Sequence, residues 1–190
     1  LALAVGLVAA TGLAAALRSP HDHPGRLDPD RVAAPPVAGL APVKGDWPAY
    51  GGTAFGQRYT ALDTFTPANV AGLREAWHIH TGDGRRPDDP KETTTEVTPL
   101  KAGDSLYLCT PHGIVLALDP STGRQRWRFD PQLRSPVGFR HFEHMTCRGV
   151  AYHDDGPAVA GECPRRVFLP TADARLIALD ASTGRPCDGF

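Results

Sequence analysis

No surplus of either charge marks this chain. Its 190 residues carry 20 Lys and Arg against 21 Asp and Glu, a net charge of −1. A nucleic-acid binder would show a basic excess gathered on one face, so that class is excluded. There is one Met, and aromatics make up 7%, which argues against a helical bundle. The four cysteines, at 109, 147, 163 and 187, form no CxxC pair, so zinc-ribbon spacing is absent. Neither a GxGxxG nor a Walker loop occurs, and nothing suggests a nicotinamide or nucleotide cofactor.

What is abundant is turn chemistry. Twenty Gly and 19 Pro exceed the usual share but stay below the roughly 25–30% that signals disorder throughout. Hydrophobic residues at 41% suffice for a packed core, and short strands joined by many turns fit this composition. The chain starts at Leu1 rather than Met and stops at Phe190 on a strand-like pattern, as expected of a piece of a longer protein.

Residues 1–17 carry no charge and as a helix would span about 26 Å, slightly less than a hydrocarbon core of about 30 Å. The expectation is the end of a transmembrane helix. A signal-peptide h-region is the alternative, but the stretch is long for one and lacks a basic n-region. A buried soluble helix would show a polar face, and none is present. Residues 18–45 form a Pro-rich linker, with Pro20, Pro24, Pro29, Pro35, Pro36 and Pro42 forbidding regular helix or central strand. His21 and His23 within it read as solvated. Residues 46–190 are then the folded domain. An even cysteine count in an exported domain permits one or two disulfides of open connectivity. Cys109, in an apolar run, reads as a buried free thiol.

A repeat sets the fold. SLYLCTPHGIVLALDPSTG from Ser105 and RVFLPTADARLIALDASTG from Arg166 superpose Ala117-Leu118-Asp119 on Ala178-Leu179-Asp180. Each unit has an apolar run, a polar turn, a second apolar run ending in Leu-Asp, and then Ser-Thr-Gly. These runs are too short for helices, and Asp-x-Ser-Thr-Gly supplies turn chemistry. Small antiparallel sheets repeated in this way must stack to bury both faces, and a β-propeller is the closed solution.

Ala-x-Asp-x-x-Thr-Gly-x-x-x-Trp, from Ala117 to Trp127, resembles the tryptophan-docking motif of quinoprotein dehydrogenases. These are propeller enzymes that use pyrroloquinoline quinone (PQQ). The second copy departs from it, with Asp188 in place of Trp, so that docking contact should be missing or replaced. Trp77, in LREAWHIHTGD, looks like the outer-strand Trp of an earlier unit. From Gly45 to Phe190 the ordered set DWPAYGG, ANVAGLREAW, TTTEVTPL, HMTCRGVAYH and CPRRVFLPTADARLIALDASTG resembles the membrane-bound quinoprotein glucose dehydrogenases. No Cys-Cys pair occurs, unlike in the alcohol dehydrogenases of the superfamily. His144-Met145-Thr146-Cys147-Arg148-Gly149 is similar instead to the membrane sugar and polyol branch.

The resemblance implies an all-β fold, an eight-bladed propeller of four-stranded W-shaped sheets, with two or three blades present here. It also implies PQQ as cofactor. Arg148 is suited to a cofactor carboxylate or quinone oxygen, His144 to packing over the ring plane, and Glu96 to a hydrogen bond nearby. It places the catalytic Asp and the ligands of a divalent cation, Ca²⁺ or Mg²⁺, in later blades. The 190 residues alone are then expected to be inactive. The implied substrate is D-glucose or a related aldose, oxidised to the lactone, with ubiquinone as acceptor and the inner membrane as anchor for a periplasmic domain. Quinate/shikimate or polyol oxidation is the alternative within the class. A non-catalytic propeller scaffold shares the Trp motif but requires neither Glu96 nor the His-x-Thr-Cys-Arg-Gly element, and no lipobox Cys lies near residue 18. Cys147, without an adjacent partner, reads as structural. The pair His141 and His144 makes no metal site, Glu143 has no assigned role, Asp154-Asp155 after His153 reads as a solvated loop, and Arg165-Arg166 as the entry to a strand.

Overall fold

Nine short strands and one 3-10 turn are the regular structure of the computed structural model, which describes residues 45–190 apart from 54, 157–162 and 189. The apolar segment 1–17 and the Pro-rich segment up to residue 44 lie outside the described residues. Among those described, no helix is long and apolar enough to cross a membrane.

Strands β2 (Leu100–Ala102), β3 (Ser105–Cys109), β4 (Val115–Leu118) and β5 (Gln125–Phe129) form one antiparallel four-stranded meander in chain order. This is a complete propeller blade. Strand β4 is buried at all four positions, because alternation sends Val115 and Ala117 to one face and Leu116 and Leu118 to the other. The first face joins Leu100, Tyr107, Cys109 and Trp127 in a cluster that continues into Val167, Leu169 and Leu179 of the next sheet. The second face packs with Ile114 under Trp77, Leu106 and Leu108. Each fully buried Leu or Val contributes about 1.5–3 kcal/mol, so a strand wetted on neither side anchors the blade.

The next unit is a three-stranded antiparallel sheet of β7 (Ala151–Asp154), β8 (Arg165–Pro170) and β9 (Leu176–Asp180). Arg165 and Arg166 open β8, as expected from the sequence. Strand β7 lies against β2, and the Tyr107 hydroxyl donates to the Ala181 carbonyl at 3.0 Å.

The repeated Asp-x-Ser-Thr-Gly elements are Asx turns. Asp119 Oδ1 accepts the Ser121 and Thr122 N–H groups, and Asp180 Oδ1 those of Ser182 and Thr183. The turn glycines, Gly123 and Gly184, sit at φ of 69° and 70°, where a side chain is strained. Each also receives an indole face, Trp77 on Gly123 and Trp127 on Gly184. The Trp of one unit therefore docks on the turn of the next. Trp77 fills that role without belonging to a strand, since no described segment pairs with its backbone. At the position without Trp, Asp188 is exposed and the neighbouring Cys187 is bonded to Cys163. A disulfide thus stands beside the missing dock.

Trp47 pairs with Lys101 through two backbone hydrogen bonds of 2.7 and 3.0 Å, and Asp46 adds an ion pair to Lys101 at 2.6 Å. This ties the start of the domain to β2. Two sequence expectations are corrected. Cys109 is not a free thiol but bonds Cys147, their Cα atoms 5.9 Å apart, because the fold brings the end of β3 beside the strand preceding Arg148. His153 and Asp154 lie in β7 rather than a solvated loop, and Asp155 just after them pairs with His153 at 2.8 Å and with Arg166. The β8 partner strand places that cation opposite.

Candidate functional site

Two short strands outside both sheets, and the extended segments that follow them, carry the three candidate residues. Strand β1 (Glu92–Thr93) pairs in parallel with β6 (His144–Met145), aligning Glu92 with His144 and Thr93 with Met145. The pairing continues as single bonds, from the Thr94 N–H to the Met145 carbonyl and from the Thr98 N–H to the Arg148 carbonyl, both 3.1 Å. Burial alternates along 144–148: Met145 and Cys147 are buried, His144 and Thr146 half-buried, Arg148 exposed. The period-two rule of extended chain thus turns Met145 and Cys147 to the core and gives His144, Thr146 and Arg148 the other face.

On that face Glu96 bridges the other two. Its Oε1 lies 3.4 Å from His144 Nε2, and its Oε2 lies 3.4 Å from Arg148 Nε. Thr94 Oγ1 donates to Glu96 Oε1 at 3.0 Å and also contacts His144 Nε2. Glu96 is the one ionic partner of Arg148 among the described residues, and the Arg148 side chain is 76% exposed. Most of its guanidinium fork is therefore open to a ligand. The Thr146 hydroxyl is buried without a hydrogen-bond partner among the described residues, at a cost of about 1–3 kcal/mol that a ligand acceptor would relieve. A planar, carboxylate-bearing cofactor needs an open cation, a neutral donor and a flat ring to lie against. Arg148, Thr146 and His144 supply these three, so the residues present fit PQQ.

The loops around this site are braced by a buried charged cluster. His112, in the β3–β4 turn, places Nδ1 2.8 Å from Asp83 Oδ1 and Nε2 2.8 Å from Asp89 Oδ1. All three side chains are almost wholly buried. Burial pushes the Asp83 and Asp89 carboxyls up, yet hydrogen bonds from Thr110, His112 and the Arg86 backbone outweigh it and hold both below the usual carboxylate range. Beside the cluster, the Cys109–Cys147 disulfide joins β3 to the 144–148 run. A separate cleft of about 370 Å³, lined by Asp104, Tyr107, Arg126, Tyr152 and Arg165 among others, lies beyond the opposite end of β2. None of the three candidate residues lines it.

The fold brings Glu96 beside His144 and Arg148, which follow it by 48 and 52 residues in the sequence. Sequence reasoning missed Thr94, Thr146, the His112 cluster and the disulfide pairing. Thr94 and Thr146 stand two residues from Glu96 and His144, so period-two alternation could have found them. Asp83, Asp89 and His112 are separated by 29 and 23 residues, and no local spacing signals their meeting.

Comparison with known proteins agrees with the propeller fold. The family model described as "PQQ: Glucose/ethanol/alcohol dehydrogenase, beta-propeller domain" matches residues 47–190. The quinoprotein glucose dehydrogenase of Escherichia coli is 43% identical over 100% of this chain and 24% of its own length. The quinate/shikimate dehydrogenase (quinone) of Acinetobacter baylyi is 36% identical over 82% of this chain and 20% of its own length. The quinohemoprotein alcohol dehydrogenase of Comamonas testosteroni superposes with a TM-score of 0.58 at 28% identity, covering 85% of this chain and 21% of that one. The chain thus spans about a quarter or less of these relatives. With most of its length matched by the family model, it belongs to the PQQ-dependent glucose/ethanol/alcohol dehydrogenases and forms part of their β-propeller domain.

Proposed function

We propose that this chain is part of a membrane-anchored, PQQ-dependent dehydrogenase that oxidises D-glucose or a related aldose to its lactone in the periplasm and passes the electrons to ubiquinone. The observation that carries the cofactor assignment is the bridge of Glu96 between His144 and an open Arg148. The sugar assignment is supported by 43% identity to a glucose dehydrogenase along the whole chain.

When bound, PQQ supplies an ortho-quinone that accepts a hydride equivalent from the substrate carbon. The residues here bind and orient. Arg148 offers parallel N–H donors to a carboxylate or quinone oxygen. Glu96 fixes the guanidinium from behind and, with Thr94, restrains the His144 ring. That ring presents a flat face, and Thr146 donates its unpartnered hydroxyl. The divalent cation, calcium or magnesium, and the catalytic Asp are assigned by the family resemblance to later blades.

A second reading, quinate/shikimate or polyol oxidation, is supported by the 36% identity to a quinate/shikimate dehydrogenase and uses the same cofactor residues. Membranes carrying the full-length protein, stripped with EDTA, would be assayed for dye reduction with D-glucose, quinate and glycerol, with and without PQQ and Mg²⁺. Glucose-dependent activity only after reconstitution is expected. Activity with quinate or glycerol alone would move the substrate and keep the cofactor. Absence of PQQ-dependent activity in correctly inserted protein would overturn the enzyme reading in favour of a scaffold.

A further inference from the structure

The extended 144–148 run bearing His144, Thr146 and Arg148 is weakly held by its own backbone. Its first two residues form β6, which pairs only with β1, separate from the four-stranded and three-stranded sheets, and an isolated two-stranded pair is marginal in water. Alternation turns Cys147 inward, where it is 9% exposed, onto a Cys109 that is 0% exposed. Cys109 is the last residue of β3, which is paired on both sides within the complete blade.

We propose that the Cys109–Cys147 disulfide is the positioning element of the cofactor site: it fastens the middle of the 144–148 run to the rigid blade, so that His144, Thr146 and Arg148 meet PQQ in a fixed arrangement. This rests on the PQQ reading above. The bond contacts no ligand and undergoes no chemistry. It restrains the backbone between three ligand-facing side chains, and a displacement of about 1 Å in such a constellation can cost about a hundredfold.

The molecule contains its own control. Cys163–Cys187 closes a sequence separation of 24 and Cys109–Cys147 one of 38. Chain-entropy contributions vary only with the logarithm of loop length, so the two bonds are comparable as general staples. They differ in place, since Cys163–Cys187 borders β8 and β9 and not the candidate site.

The test compares C109A/C147A with C163A/C187A in the full-length protein, with C109V/C147A added to refill the buried volume, and limited proteolysis confirming the folded state. PQQ binding is measured on the apo-protein by equilibrium dialysis. The expected result is an increase of about tenfold or more in the PQQ concentration for half-saturation when the 109–147 bond is lost, and a change within about twofold for the other pair. Hydrogen exchange in the apo-protein should quicken at the Thr94 and Thr98 amides, which donate to Met145 and Arg148, only in the 109–147 variants. Equal affinity shifts for both pairs, or unchanged affinity on loss of the 109–147 bond, would overturn the proposal. Should the unaltered protein fail to bind PQQ, the functional reading falls. Amide exchange then still decides the positioning role: selective quickening upholds it and unchanged exchange refutes it.

Discussion

Gly184 lies flat against the indole of Trp127, so close that a Cβ at position 184 would stand 2.5 Å from the ring atom Cε3. The indole N–H donates at 3.0 Å to the Ala181 carbonyl in the same turn. Ring face and ring edge are thus both committed to the neighbouring unit, and the motif works as a lock between blades rather than as part of one blade.

Gly184→Ala is therefore expected to destabilise the domain by about 2–4 kcal/mol, adding ring overlap to the strain of a left-handed alanine. Gly103→Ala is the control. Gly103 also has positive φ but open space around it, so only the backbone part, about 1–2 kcal/mol, should be lost. Urea midpoints of the two variants check this, and equal losses would show that the indole yields.

His112→Ala should cost about 3–5 kcal/mol, because it leaves the buried carboxylates of Asp83 and Asp89 without their shared partner. Adding Asp83→Asn and Asp89→Asn to that variant should recover part of the loss. Thermal unfolding of the single and triple variants measures the coupling.

The acid limb of stability follows from depressed carboxyls. Burial raises Asp173, but hydrogen bonds from Arg175, Thr171 and the Arg134 backbone prevail and bring it down to about 2. Asp83 and Asp89 are lowered as well. A folded-state value below the unfolded one gives stability that is complete above the unfolded value of 3.8 and is lost as pH falls through the folded one. Urea stability should therefore be flat in these groups above about pH 5 and fall towards about pH 2. Asp173→Asn should flatten part of that fall and lower stability at neutral pH.

Arg148→Ala is expected to raise the PQQ requirement of the apo-protein by about ten- to a hundredfold, the worth of a charge-assisted hydrogen bond. It should leave thermal stability nearly unchanged, since the side chain is 76% exposed. Arg148→Lys should recover only part of the affinity, as a point charge lacks the planar fork. A titration of binding beside a melting curve separates the two effects.

The blade plan was legible because each of its signals is local. Alternating runs gave β3, β4, β8 and β9, and Asp119 and Asp180 fold their own turns within a few residues. The three site candidates came from resemblance alone, and their meeting through Glu96 was not readable in any local pattern. Cys109 was misjudged because nothing within its apolar run reveals a partner 38 residues away.

By itself the sequence determined the repeat, its turns, the docking Trp residues at 77 and 127 and the chemical types gathered near the site, since all are written in spacings of a few residues that backbone geometry enforces. Only the tertiary structure decided which sulfurs join, that His112 sits between two buried aspartates, that Asp155 finds Arg166, and that Glu96 bridges His144 and Arg148. Those contacts depend on how separately formed strands pack. Their energies come from burial and electrostatics among distant segments, which no short window of sequence contains.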